Sequence, residues 1–139
     1  MAQLNAYLFF NGNCAEAMKF YADTIGARLD LIPAGQSPAA DHVPPGSGDL
    51  MIHARLELPG GAALMASDWL DTAPYPPMQG FAVSLIYPSA DDARPIFDLM
   101  AEGGKASMPF GKTFFAEGFG MLTDKFGTPW MIGGGMTPS

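Results

Sequence analysis

A histidine, an arginine and a glutamate alternate along one apolar segment of the chain, at His53, Arg55 and Glu57. Such alternation places the three polar side chains on one face of a β-strand and the apolar residues between them on the other. An imidazole can exchange a proton near neutral pH, and a guanidinium can hold a carboxylate or phosphonate. The segment therefore predicts either a binding surface or a solvated strand edge with cross-strand charge pairs.

Three further positions carry side chains capable of chemistry. Asp68 precedes Trp69 at the end of a strand-like run, which predicts either an ordinary turn or a polar anchor beside an aromatic wall. His42 follows Asp41 in a proline-rich segment, which favours a solvated role over metal coordination. Cys14 falls in the first turn of a predicted helix, where N–H groups can lower a thiol pKa, but its small neighbours favour a buried, inert residue.

The sequence contains no constellation for nucleophilic catalysis, so no catalytic residue is assigned. It lacks a Gly-x-Ser-x-Gly elbow, and no histidine lies near Cys14 along the chain. A single cysteine also excludes an internal disulfide and any site built from several thiolates. The adjacent acidic residues Asp91 and Asp92 fall at a helix start, where capping and the helix dipole explain them.

Composition limits the classes of partner. The 139 residues suit one domain, and a net charge of −7 leaves only 7 Lys and Arg to neutralise a polyanion, so nucleic acid is not an expected partner. Residues 72–90 are uncharged, but their prolines break any helix, so no membrane span is expected. The N-terminus has neither a basic region nor a small-residue cleavage site, and a cytoplasmic location is expected.

The elements that must position these residues occur twice. A strand-like run, a capping residue and a helix at residues 4–26 recur at residues 81–103, about half the chain away. The first predicted helix ends at Gly26, and the second spans residues 90–101. The predicted strands cover residues 4–10, 28–32, 50–58, 62–67, 81–87, 105–109, 113–123 and 128–132. We therefore predict a single domain over residues 1–139, with modules at about 4–67 and 81–135 and a linker at about 68–80.

Two such βαβββ modules predict an α+β fold in which a curved mixed sheet surrounds a groove. Residues 33–49 are rich in proline and glycine, and a loop of that length is typically mobile or functional, for example as a lid. Taking Asp91 rather than Ser89 as the cap of the second helix would place Pro95 in its first turn. The glycines at 133–135 are expected to form a flexible end.

Several strings resemble the PhnB-like branch of the vicinal oxygen chelate superfamily, which includes glyoxalase I, extradiol dioxygenases and the bleomycin and fosfomycin resistance proteins. The strings are YLFFNGNC at residues 7–14, HA at 53–54, SD at 67–68, TFFAEGFG at 113–120 and TDKFGTPWMI at 123–132. They cover both modules. The resemblance implies the two-module fold described above and a homodimer whose subunits share strands or grooves.

The resemblance also implies where metal ligands would fall in the metal-using members of this superfamily. Carried over residue by residue, the positions are Asn5, Met65 or Ser67, Ala82 or a neighbour, and Met131. None of these side chains is a histidine or a carboxylate, the ligands that hard divalent ions prefer, so we expect no metal and no cofactor. Alternation along the first strand places Tyr7 and Phe9 on the same face as Asn5.

We therefore expect a protein that binds a small, partly apolar organic ligand in the groove. The expected ligand-binding residues are Asn5, Tyr7, His53, Arg55, Met65, Ser67, Asp68, Trp69 and Met131. Two alternatives stay open: a metal-dependent lyase, isomerase or dioxygenase using His53 with Asp68 or Glu117, and a protein that sequesters a drug. A methyltransferase activity, a label attached to relatives, has no support, because no strand leads through a glycine-rich turn into a helix that would hold an adenosyl cofactor.

Overall fold

The computed structural model describes residues 2–137 and divides into two compact units, Met1–Pro76 and Pro77–Ser139. The first unit contains β1 (Ala6–Phe10), α1 (Cys14–Ile25), β2 (Arg28–Pro33), β3 (Met51–Glu57) and β4 (Ala63–Asp68). The second contains β5 (Val83–Tyr87), α2 (Ala90–Ala101), β6 (Lys105–Gly111), β7 (Ala116–Thr123) and β8 (Pro129–Met136). The predicted α+β class and the repeated βαβββ order are confirmed.

Both units have the same sheet topology. The strand orders are β1-β4-β3-β2 and β5-β8-β7-β6. In each unit the first strand pairs in parallel with the last, and the other neighbours are antiparallel. The helix of each unit packs on its own sheet, so each sheet buries one face against a helix. Among the described residues, no helix is long and apolar enough to cross a membrane.

Helix α1 has the apolar face and the C-terminal glycine that its sequence predicts. Its buried side chains recur at helical spacing and are Cys14, Ala17, Met18, Tyr21 and Ala22. The helix ends at Gly26, whose φ of 78° is readily available to glycine and whose N–H donates to the carbonyl of Ala22 at 2.8 Å. The predicted C-terminal glycine cap is therefore confirmed.

Helix α2 is capped by Ser89, whose hydroxyl accepts a hydrogen bond from the N–H of Asp92 at 3.1 Å. The alternative cap at Asp91 is wrong, because Asp91 lies inside the first turn, where its charge complements the helix dipole. Pro95 consequently lies within the helix rather than in its first turn. The predicted helix bounds, residues 90–101, agree with the structure.

The strand ends differ from the predicted ones most at the C-terminus. Strand β8 continues through Gly133, Gly134 and Gly135 to Met136, so the predicted flexible end is wrong. A Cβ atom at Gly134 would overlap the carbonyl oxygen of Ser89. Glycine is therefore required there for the segment leading into α2 to lie against the strand.

Residues 33–49 form two short 3-10 helices, Ala34–Gln36 and Ala40–His42, joined by turns. The segment returns to its starting point, because Ala34 N–H donates to the carbonyl of Leu50 at 2.7 Å and Gly35 N–H to that of Gly48 at 2.9 Å. His42 lies in the second of these helices and is exposed. A role for this segment as a lid stays a prediction.

Candidate functional site

The face of the first sheet that is turned away from α1 carries aromatic and charged side chains. Along β1, Leu8 and Phe10 are buried, whereas Tyr7 and Phe9 are 39% and 44% exposed. Strand β3 alternates in the same way, with His53 half-buried beside the fully buried Ala54. The predicted two-faced character of β3 is thus confirmed, and the surface formed by Tyr7, Phe9, His53, Arg55 and Met65 is called the aromatic face below.

Five rings form a continuous ribbon on this face. Ring centroids are separated by 5.9 Å between His53 and Tyr7, 5.2 Å between Tyr7 and Phe9, and 5.6 Å between Phe9 and Trp69. Tyr75 extends the ribbon at 6.3 Å from Trp69. The hydroxyl of Tyr7 and Nδ1 of His53 are hydrogen-bonded at 3.3 Å. The spacings are those of favourable tilted and edge-to-face ring pairs.

The segment after β4 positions the last two rings. Trp69 donates its backbone N–H to the carbonyl of Phe10 at 2.7 Å and its indole N–H to that of Ala73 at 2.8 Å. Tyr75 donates its hydroxyl to the carbonyl of Phe9 at 2.6 Å, and burial raises the pKa of Tyr75 above its ordinary value. Sequence reasoning missed Tyr75, because it lies in a proline-rich segment that has no strand or helix periodicity.

Arg55 provides the positive charge of the aromatic face. Strand register places Tyr7 opposite Met65, and Met65 opposite Arg55. The guanidinium lies 3.9 Å from the sulfur of Met65 and 3.2 Å from the carboxylate of Glu57. Both charged side chains are partly exposed, so this ion pair is worth only about 0–1 kcal/mol. The arginine can therefore exchange Glu57 for another anion.

A cavity of about 330 Å³ lies beside Arg55. It is lined by residues 3–6, the turn residues 61–63, and Arg55 itself. Asn5 fixes this region by donating from its side-chain amide to the carbonyl of Ala63 at 3.2 Å. Among the described residues that line the cavity, Arg55 has the one charged side chain. The cavity therefore presents a cation and backbone groups to a small polar group.

Asp68 is 2% exposed, and its carboxylate accepts hydrogen bonds from two backbone N–H groups. Its Oδ1 accepts the N–H of Cys14 at 2.9 Å, and its Oδ2 accepts the N–H of Met51 at 2.8 Å. It thereby caps α1 in place of Asn13, whose side chain forms no capping bond. Ser67 is also buried. Because both oxygens of Asp68 are engaged, we leave it out of the binding surface proposed below.

All the predicted site residues except Met131 belong to the first unit. Met131 lies on β8 in the second unit, opposite Met121 and Ser84. Within residues 2–137, no group of three or more histidine, cysteine or carboxylate side chains is placed to hold a metal ion. The positions that family resemblance implies for metal ligands supply amide, thioether and hydroxyl groups, which do not fit a hard divalent cation.

Cys14 is fully buried. Burial and, to a smaller extent, the charge of Asp68 raise the pKa of its thiol from 9.0 to about 12. We therefore expect no reaction of the native protein with Ellman's reagent at pH 8 and rapid reaction in denaturant.

Between pH 9 and 12 the folded state binds more protons than the unfolded state, so wild-type stability should fall more steeply with pH than that of Cys14→Ala. Urea titrations across this range measure the difference, and parallel curves would contradict it.

Comparisons with known proteins agree with the two-unit fold. The sequence model of the Glyoxalase/Bleomycin resistance protein/Dioxygenase superfamily matches residues 3–132. Protein YjdN from Escherichia coli (strain K12) is 35% identical over 140 residues, covering 93% of this chain and 92% of that protein. The crystal structure of protein PA1353 from Pseudomonas aeruginosa has a TM-score of 0.87 at 43% identity, covering 94% of this chain and 96% of that one.

A PhnB protein from Bacillus cereus has the same fold, with a TM-score of 0.76 at 23% identity over 94% of this chain and 97% of that one. The family resemblance that the sequence strings predict is therefore confirmed by a family match that spans both units. The chain belongs to the glyoxalase/bleomycin resistance protein/dioxygenase superfamily.

Proposed function

We propose that this protein binds a small organic molecule that combines a flat apolar part with an anionic group, and that the aromatic face is the binding surface. The observation that carries the proposal is the ribbon of five rings, which lies on the same sheet face as Arg55. Apolar lining with a few placed polar groups is typical of small-molecule sites.

The rings supply the contact area for the flat part of the ligand. Tyr7 and Phe9 remain more than one third exposed although they are surrounded by aromatic neighbours. A planar ligand that covers them removes apolar surface from water and adds ring pairs worth about 0.5–1.5 kcal/mol each. Trp69 stands at 90° to Phe9 and therefore forms a wall against which the ligand edge can rest.

The anionic group of the ligand is assigned to Arg55. Two strand spacings separate Arg55 from Tyr7, a distance of roughly 10 Å that suits a ligand of two fused rings with a charged substituent. The cavity beside Arg55 accepts the charged end. Tyr7 and His53, held together at 3.3 Å, offer a hydroxyl and an imidazole to a polar substituent on the rings.

The dye 8-anilinonaphthalene-1-sulfonate has this combination of groups and serves as the probe. We expect it to bind the native protein, and Arg55→Gln to weaken binding about tenfold, because a charge-assisted hydrogen bond contributes about 1.5–3 kcal/mol. Trp69→Ala should weaken binding about fivefold through the lost ring contact. Fluorescence titration of each variant measures these changes.

Two surface variants control for non-specific dye binding. Arg28→Gln removes the arginine of an exposed pair with Asp30 on β2, and Leu99→Ala removes an exposed apolar side chain on α2. Both should leave the dissociation constant unchanged. Equal weakening by Arg28→Gln and Arg55→Gln would show that net charge rather than the aromatic face controls dye binding, and the proposal would fail.

We also propose that the protein is a homodimer, as its family resemblance implies. Light scattering coupled to gel filtration should give twice the chain mass of 14.7 kDa. A monomer across the concentrations used for ligand binding would contradict this proposal without affecting the aromatic face.

A further inference from the structure

The second sheet carries a row of methionines whose side chains have no place in the binding surface proposed above. Strand register places Met108 of β6 opposite Met121 of β7, and Met121 opposite Met131 of β8. All three side chains are partly exposed. Three thioethers therefore lie side by side on three adjacent strands, and Ser84 of β5 lies opposite Met131 at the end of the row.

The row lies on the face of the second sheet that is turned away from α2. A Cβ atom at Gly120 would run into the ring of Phe97 on α2, so Gly120 faces the helix and the next residue, Met121, faces the other way. The same alternation applies on β8, where Met131 lies between the buried residues Trp130 and Ile132. The methionines are therefore not part of the core beneath α2.

A fourth methionine brings its sulfur to the same region. A Cβ atom at Gly133, two residues beyond Met131, would lie 3.5 Å from the sulfur of Met136. Gly135, with a φ of 64°, lies just before Met136, which pairs with Ala116 of β7. The ring of Phe119 would lie 3.0 Å from the same Cβ position, so the Met136 sulfur and the Phe119 ring both lie beside Gly133.

Thioether sulfur is a soft, neutral ligand, so this row suits a soft cation and not the hard ions excluded above. Neighbouring strands lie about 4.8 Å apart, and the three rotatable bonds of methionine allow sulfur atoms from adjacent strands to converge on one ion. No proton has to leave the ligands, and the chain's net charge of −7 favours a cation. We infer that Met108, Met121 and Met131, with Met136 as a fourth ligand, bind a soft monovalent cation such as Cu(I) or Ag(I).

Silver ion tests this inference without redox chemistry. The protein, labelled with ¹³C at the methionine methyl groups, is titrated with silver nitrate in chloride-free buffer and followed by NMR and calorimetry. We expect a single ion per chain, with shifts confined to the four methyl groups of the second sheet. Met121→Leu removes the central sulfur at nearly constant volume and should weaken binding about tenfold or more, since even changes around metal ligands cost about 10–100-fold.

Two control variants separate the row from other sulfur atoms. Met78→Leu changes a methionine outside the sheets, and Cys14→Ser removes the only thiol; both should bind silver as the wild type does. Met131→Leu repeats the test if Met121→Leu fails to fold. Absence of binding, binding that Met121→Leu and Met131→Leu leave unchanged, or binding that is lost in Cys14→Ser would each overturn the inference. The dye titration on the first sheet is independent of all these outcomes.

Discussion

Replacing Asp68 with alanine is expected to lower the free energy of unfolding by about 4 kcal/mol, a large part of the stability of a domain of this size. The carboxylate is 2% exposed, and each of its oxygens accepts one buried backbone N–H, from Cys14 at 2.9 Å and from Met51 at 2.8 Å. Alanine leaves both donors without a partner and away from water, at about 2 kcal/mol each.

The loss is large because Asp68 joins three elements. It ends β4, caps α1 and holds the first residue of β3, so no single neighbour can replace it. Asp68→Asn keeps the shape of the side chain and one of its two acceptor oxygens. The other oxygen becomes an amide NH₂, which cannot accept a hydrogen bond from the second backbone N–H. About half of the effect of alanine is therefore expected.

Chemical denaturation followed by circular dichroism measures both variants. Asp71→Ala is the matched control, because Asp71 is exposed and accepts a single local hydrogen bond from Ala73 at 2.9 Å. Its effect should stay within about 0.5 kcal/mol. A loss below about 1 kcal/mol in Asp68→Ala would mean that water or a rearranged backbone satisfies the two donors.

The repeated architecture could be predicted from the sequence because its signals are local. Apolar spacing defines both helices, a glycine ends α1 and a serine caps the start of α2, and the predicted bounds of α2 agree with the structure. Alternation at His53 and Arg55 separates the two faces of β3 without knowledge of its neighbours. Because the same order of elements occurs twice, both units have the same strand order.

What could not be predicted depends on residues distant in sequence. Asp68 follows a strand and precedes Trp69, so the sequence is compatible with a turn or a ligand anchor, and only the fold brings Cys14 and Met51 to its two oxygens. Tyr75 joins the aromatic ribbon through the carbonyl of Phe9, a contact that no periodic pattern signals. The residue types of the candidate site could thus be predicted from the sequence, whereas their arrangement could be described only once the strand register was known.

The glycines of β8 are a second case in which distant residues decide the structure, because here the local sequence predicts a flexible end and the fold contains a paired strand. Three consecutive glycines ordinarily indicate a flexible end, because glycine loses more conformational freedom on folding than other residues. Here they lie in a paired strand, opposite Gly118 and Phe119 of β7. The absence of side chains is what allows the backbone leading into α2 to lie against the sheet, at the carbonyl of Ser89.

Gly134→Ala should therefore be the most damaging single-methyl change in the second unit, with a loss of about 3 kcal/mol in the free energy of unfolding. The added Cβ would overlap the carbonyl oxygen of Ser89 and approach the N–H of Ala90 at 2.9 Å, and both are backbone atoms that cannot rotate away. Either α2 shifts at its capped end or β8 leaves its partner strands, and both cost buried contacts.

Gly111→Ala is the matched control, because a Cβ atom there would meet nothing within 4 Å and the backbone conformation is open to any residue. That variant should be neutral or slightly stabilising, since alanine restricts the unfolded chain more than glycine does. Thermal unfolding of the two variants side by side separates steric overlap from the general effect of adding a methyl group to a glycine. If both unfold at the wild-type temperature, the packing of the Ser89 backbone against β8 does not contribute to the stability of α2.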